Sequence, residues 1–360
     1  MRYITFPFRH LARQRCAGRP HFNRAATPSR FRTTGLGALT IAAVVLAGCS
    51  SSRHEPEEKY ILVASNVKLS YWQSALAGLG KAATQLGVRT EMMGPDTYDP
   101  KGEHEEFQRA LGKKPTGILI SVSDPSVLKG DIDSAVAQGI PVITMDSDAP
   151  ASKRLLFIGT DNRQAGVIGA RTLVQKLNGR GNIIIYTMPE QANLRERMSG
   201  YSEVFATQPG IKVARTVDIK GDPRIAFDTT MELVREKGGV DKVDAFVCLE
   251  AIACPEIADV LDREKVSGKV IIAMDTDQRT LEWVRKGLIT ATIGQKPFTM
   301  AYYGVQMLDN LFHNKPQSLD RNWKQDSFST LPTFVDTGAT LIDKNNVEEY
   351  IQQRESAGKS

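Results

Sequence analysis

The 360-residue sequence predicts two doubly wound α/β lobes, each a parallel sheet with helices on both faces. Three observations predict it. From Tyr60 onward, short apolar runs alternate with longer segments of helical period, the pattern of parallel strands joined by crossover helices. About 300 residues with about ten strands exceed one doubly wound domain of ~150, so two lobes are the natural division. No Pro/Gly/Ser-rich linker separates them, so the chain is expected to cross between lobes more than once, through short connections that act as hinges.

The segment before Tyr60 is set apart by composition. Residues 1–48 hold eight arginines and no Asp, Glu or Lys, and end in the apolar stretch 36–47. A basic region followed by an apolar run of about a dozen residues predicts an export signal, because a membrane-spanning helix needs ~20. Leu46, Ala47, Gly48 and Cys49 resemble the lipobox of bacterial lipoproteins, which makes Cys49 the expected lipidation site and residues 1–49 the signal with its lipobox. Residues 50–59 are polar, with nothing to bury, and read as a flexible tether.

Strands are expected at 60–64, 89–93, 117–120, 141–145, 155–158, 182–186, 212–217, 245–248, 270–274 and 290–293. Helices are expected at 74–86, 165–177, 195–205 and 298–312 among others. Asp99-Pro100, Asp124-Pro125 and Asp222-Pro223 each read as an N-capping carboxylate followed by proline at the first helical position.

Charge and motifs exclude several classes. The formal +5 of the chain contains +8 from the N-terminal arginines, leaving −3 for the rest, so no basic patch argues for a nucleic-acid partner. Gly78, Gly80 and Ala83 fit a dinucleotide fingerprint, but they fall inside a helical segment beginning near Tyr71 rather than at a strand-to-helix turn. They read as helix packing. No P-loop, nucleophile elbow or placed triad histidine supports catalysis, so no catalytic residue and no cofactor are expected. Cys248 and Cys254, six residues apart, either pair in an oxidising compartment or stay as buried thiols. His54, His104 and His313 are scattered, and no metal site is expected.

Open α/β sheets bind ligands at the carboxyl ends of their strands. Polar residues gather there: Asn66 after the first strand, Ser121 after the third, Asp146 and Asp148 after the fourth, Glu250 after the eighth, Asp275 after the ninth and Gln295 after the tenth. Sugar hydroxyls need acceptors and bidentate donors in fixed positions, which Asp, Asn, Gln and Arg supply. The apolar faces of a sugar ring stack on aromatics such as Tyr71 and Trp72, although adjacent helix positions cannot both face one way, so one of the two belongs to the core.

From about Tyr60 to Asp343 the chain resembles the ribose/galactose type of periplasmic binding proteins. The resemblance rests on Tyr71-Trp72 and the helix to Gly78, on 139–146, on 158–162, on 195–201, on 272–275, and on Gly287 through Ile293 to Gln295. It implies the type I fold, two Rossmann-like lobes joined by a multi-crossover hinge. The first lobe would comprise 60–160 plus 296–322, the second 161–295 plus 323–345, with 346–360 a C-terminal helix and tail. It further implies ligand positions at Trp72, Asp146, Arg197, Asp275 and Gln295, with Gln191, Asn193 and Ser121 at sites that vary with substrate. Asp161 and Asn162 match a family pair at the first crossover, where Asn162 reads as helix cap and hinge residue.

The departures narrow the ligand. Leu249-Glu250 stands where family sugar binders place Asn-Asp, and Ser147-Asp148 follows Asp146 where ribose binders place Arg. Four carboxylates, Asp146, Asp148, Glu250 and Asp275, against the single Arg197 disfavour an anion and favour a neutral or cationic polyol. The implied function is that of a monomeric, lipid-anchored solute-binding protein, periplasmic or at the cell surface, which presents a sugar to ABC permease subunits. The alternative is a ligand-sensing subunit that feeds a sensor kinase or chemoreceptor.

Overall fold

The computed structural model describes residues 54–357 apart from 56, 317, 324 and 327. The expected signal, Cys49 and the first part of the tether lie outside the described residues.

The first lobe opens with β1 (Lys59–Val63), α1 (Ser70–Leu86), β2 (Arg89–Met93), α2 (Pro100–Gly112), β3 (Gly117–Ile120), α3 (Pro125–Ala137), β4 (Val142–Met145) and β5 (Phe157–Gly159). The chain then enters the second lobe with α4 (Asn162–Lys176), β6 (Arg180–Thr187), α5 (Ala192–Phe205), β7 (Gly210–Asp218), α6 (Pro223–Arg235), β8 (Ala245–Cys248), α7 (Ala253–Arg263), β9 (Val270–Met274), α8 (Gln278–Lys286) and β10 (Ala291–Gly294). It returns as α9 (Pro297–His313) and β11 (Phe334–Asp336), then crosses a last time to β12 (Thr340–Asp343) and α10 (Val347–Ala357).

Each sheet has six strands, ordered β11-β5-β4-β3-β1-β2 and β12-β10-β9-β8-β6-β7. All pairings are parallel except β12 against β10. This is the type I two-lobed architecture. Central strands such as β3, β4, β8 and β10 are buried at every position, as apolar runs covered on both faces must be. Each lobe carries its own core, one built around Ile61, Leu119 and Ile143, the other around Ile185, Phe246 and Ile272.

The three Asp-Pro starts are caps: Asp99, Asp124 and Asp222 accept from the backbone N–H of Lys101, Ser126 and Arg224, which satisfies amides that a helix start leaves unpaired. Gly78 is helix packing, because a Cβ there would meet the Phe298 carbonyl oxygen of α9 at 2.2 Å. Cys248 and Cys254 are joined in a disulfide that ties the end of β8 to the first turn of α7.

Four sequence readings are corrected. Phe334–Asp336 pairs with β5, so the last crossing falls at 337–339 and not near 322. Strand β11 is three residues long and largely exposed, so it leaves no apolar run in the sequence to mark it. Asn162 is not the cap of α4; Asp161 is, accepting from Gln164 N. The tether ends sooner than expected, since His54 and Glu58 find partners on α9 and Glu58 is buried. The histidines are not all scattered: the fold gathers His54 and His313 with Glu58 and Asp309.

Candidate functional site

The carboxyl edges of both sheets face one cleft between the lobes, and the two lobes supply it with the same device. Strands β4 and β9 occupy the same place in their sheets and end in Met145-Asp146-Ser147-Asp148 and Met274-Asp275-Thr276-Asp277. The first aspartate of each leaves the strand in the left-handed region, Asp146 at φ 67° and Asp275 at φ 68°. Its N–H still bonds the neighbouring strand, Asp146 to the Ile158 carbonyl and Asp275 to that of Ile293. That turn swings both side chains off the sheet and into the cleft. The strain, ~1–2 kcal/mol for a non-glycine residue, is borne at both positions, as is common where geometry serves a site.

Asp146 is buried and well held: Oδ1 accepts from the Tyr71 hydroxyl at 2.7 Å and Oδ2 from Ser121 Oγ at 3.2 Å. Across the cleft, Asn193 Nδ2 reaches Oδ2 at 3.5 Å. Asp275 Oδ1 accepts from Gln295 Nε2 at 2.9 Å, and Gln295 Oε1 accepts from Thr160 Oγ1 at 2.8 Å. Thr160 and Gln295 lie on the first two crossings, so this chain of bonds couples Asp275 to the hinge. Arg197, only 2% exposed, donates from Nε to Asn162 Oδ1 at 2.9 Å and from Nη1 to the Leu249 carbonyl at 2.7 Å. Its Nη2 is buried in the wall of the cleft and has no hydrogen-bond partner among the described residues.

A cavity of about 70 Å³ lies where these groups converge. Asn66, Tyr71, Trp72, Asp146, Gln191, Asn193, Arg197, Glu250, Asp275 and Gln295 all line it. Trp72 also belongs to the first core, at 2% exposure. Asn66 spends Oδ1 on Lys68 N, and Glu250 directs its carboxylate to the backbone N–H of Ile252 and Ala253 at the start of α7. Two expected residues are placed elsewhere. Asp148 pairs with Arg154, Nη2 to Oδ2 at 2.6 Å, and accepts from Thr144 Oγ1, so its charge is spent beneath β4. Ser121 does not line the cavity but supports Asp146 from behind.

The wall also contains residues that the sequence reading missed, chiefly Tyr98, Met188 and Gly221. Tyr98 precedes the Asp99 cap after β2, and Gly221 precedes the Asp222 cap after β7, so the two meet across the cleft from equivalent turns. The strand-edge rule that found the others covers these turns too, but they were read only for their caps.

A recess of about 610 Å³ adjoins the cavity and shares Leu69, Tyr71, Ile252, Asp275 and Gln295 with it. The buried polar groups converge on the smaller space, which is therefore the candidate site. Burial, opposed by Arg197, raises the pKa of Asp146 above the usual carboxylate range. Burial likewise lifts Asp275 to about 7, against the pull of Arg197 and the Gln295 bond. Glu250 is pushed up to about 7 by burial, against its two backbone hydrogen bonds. Such a set can accept from hydroxyls and donate from one cation.

Fold and cavity together describe a two-lobed protein with a buried polar cavity between its lobes, the form of a ligand-binding protein. A family model described as periplasmic binding protein domain matches residues 60–316, and the chain belongs to that family. It is 23% identical to the ribose import binding protein RbsB of Bacillus subtilis over 291 residues, 77% of this chain and 92% of that protein. Among solved structures, AraP, an arabinose binding protein from Geobacillus stearothermophilus, is 31% identical with a TM-score of 0.68, covering 82% of this chain and 99% of AraP. The XylFII-LytSN complex contains a chain 27% identical with a TM-score of 0.69, covering 80% of this chain and 98% of that one.

Proposed function

We propose that the chain is an extracytoplasmic solute-binding protein that encloses one small neutral sugar between its lobes and hands it to an ABC importer, held at the membrane by a lipid on Cys49. The observation that carries this reading is the unpartnered Nη2 of buried Arg197, facing a cavity that Asp146 and Asp275 enter from opposite lobes. A buried cationic donor without an acceptor is costly, and a ligand hydroxyl or ring oxygen supplies one. With Asp148 neutralised by Arg154, three carboxylates remain against one arginine, which still disfavours an anion. About 70 Å³ has room for on the order of five waters, in keeping with a single sugar ring. The ribose- and arabinose-binding relatives support a pentose first.

The test is to purify the chain from Ser50 onward without denaturation, identify co-purified small molecules by mass spectrometry, and screen D-ribose, L-arabinose, D-xylose, D-allose and D-galactose by thermal shift. Ligand at ~100 times its dissociation constant stabilises the folded state by about 2.7 kcal/mol. No polyol recovered and no sugar that stabilises would overturn the proposal. The XylFII-LytSN complex favours a second reading, in which the closed form docks on a membrane receptor instead of a permease. Co-purification of permease subunits or of a receptor with the sugar-loaded chain separates the two.

A further inference from the structure

A second polar centre lies at the opposite end of the first lobe from the cleft, before the start of β1. There His54 Nε2 stands 2.8 Å from Asp309 Oδ1, and His313 Nε2 stands 3.1 Å from Glu58 Oε2 and 3.5 Å from Asp309 Oδ1. One ligand atom from each of the four residues lies within 4.8 Å of all the others. Bonds of 2.0–2.2 Å in a tetrahedral zinc site place neighbouring ligand atoms about 3.4 Å apart, and the three measured separations bracket that edge.

The sequence supplies the four groups as two arms of equal spacing. Asp309 and His313 are four apart on α9 and so share one face of the helix. His54 and Glu58 are four apart on the segment leading into β1. Both carboxylates are buried, Glu58 at 4% and Asp309 at 8% exposure, and among the described residues no lysine or arginine forms an ion pair with either. Outer partners are in place: the Tyr60 hydroxyl donates to Asp309 Oδ1 at 3.1 Å, and Glu55 N–H donates to Glu58 Oε1 at 2.7 Å, leaving Oε2 for the centre. Hydrogen bonds of this kind orient metal ligands.

We propose that His54, Glu58, Asp309 and His313 bind a divalent transition metal of the Zn²⁺ type. Two imidazoles and two carboxylates without a thiolate suit that ion, and the two negative charges balance it. The metal would join the segment before β1 to the last turn of α9 and so fix where the chain leaves the fold. The centre and the cleft lie at opposite ends of β1, so the metal would make no contact with a ligand in the cleft.

The test is a Zn²⁺ competition titration against a chromophoric chelator, using the chain expressed in full and stripped of metal, with a His54→Gln/His313→Gln double variant and His104→Gln as a control. The parent and the control should bind one Zn²⁺ per chain, the double variant at least about tenfold more weakly, and Zn²⁺ should raise the melting temperature of the parent alone. A parent that binds Zn²⁺ no tighter than the double variant would reduce the centre to a hydrogen-bonded network and overturn the proposal. Should the double variant fail to fold, Co²⁺ added to the parent decides. Visible absorption of four-coordinate intensity supports the site, and the spectrum of the hexaaquo ion refutes it.

Discussion

Replacing Arg197 by lysine keeps a positive charge in the cleft but removes the planar fork that serves three directions at once. In the parent, Nε holds Asn162, Nη1 holds the Leu249 carbonyl, and Nη2 is free for the ligand. A lysine ammonium at the end of a flexible stem cannot reach all three. A hydrogen bond to a charged group contributes ~1.5–3 kcal/mol, so the loss of the ligand contact should weaken binding roughly ten- to a hundredfold. The fold should suffer as well, since an acceptor left unpaired in the interior costs about 1–3 kcal/mol. Isothermal titration with the sugar that stabilises the parent most reads the first effect, and urea denaturation reads the second. An Arg197→Lys protein that folds normally and binds that sugar within about twofold of the parent would show that the cleft has been drawn around the wrong cation.

Closure should depend on pH. Asp275 and Glu250 are held near 7 by burial in this structure, where the lobes touch, Asp146 against Asn193 and Tyr98 against Gly221, as a closed form would, whereas a solvated carboxylate titrates at about 4. A raised pKa favours the closed form fully below the ordinary value, and that preference is lost as pH rises through about 7. Small-angle scattering of the ligand-free chain should therefore show compaction from pH 8 to pH 5, roughly across this window; no change, or a change of opposite sign, counts against it. Gly221 sits at φ 75° with its missing Cβ only 2.5 Å from Tyr98 Cβ across the cleft. Gly221→Ala should hinder closure and weaken sugar binding at least about tenfold, with partial recovery on adding Tyr98→Gly; unchanged affinity in a titration of the single variant would refute the close approach. Cys49→Ala should release the protein from membranes in a fractionation experiment, and full retention would argue against the lipid anchor.

Much of this fold is legible in single windows of sequence, because strand runs, helical period and Asp-Pro caps are local properties. The apolar run 142–145 and the cap at Asp124 need no distant partner to be recognised. The strand-edge rule likewise pointed to Asp146, Asp275, Glu250 and Gln295, which line one cavity because a parallel sheet sends the carboxyl ends of its strands to one side. What the sequence could not decide is where each polar group finds its partner. Asp146 and Asp148 are two residues apart and chemically alike, yet the left-handed turn at Asp146 sends one into the cleft while Arg154 takes the other. Asn162 looks like a cap and instead steadies Arg197. His54 and His313 meet although most of the chain separates them, and β11 joins a strand far behind it. Local periodicity therefore determined the elements, the two lobes and the edge at which the polar groups gather. Only the tertiary structure decided which charges are neutralised, which donor stays free and which distant side chains meet, because those outcomes depend on contacts that no window of sequence contains.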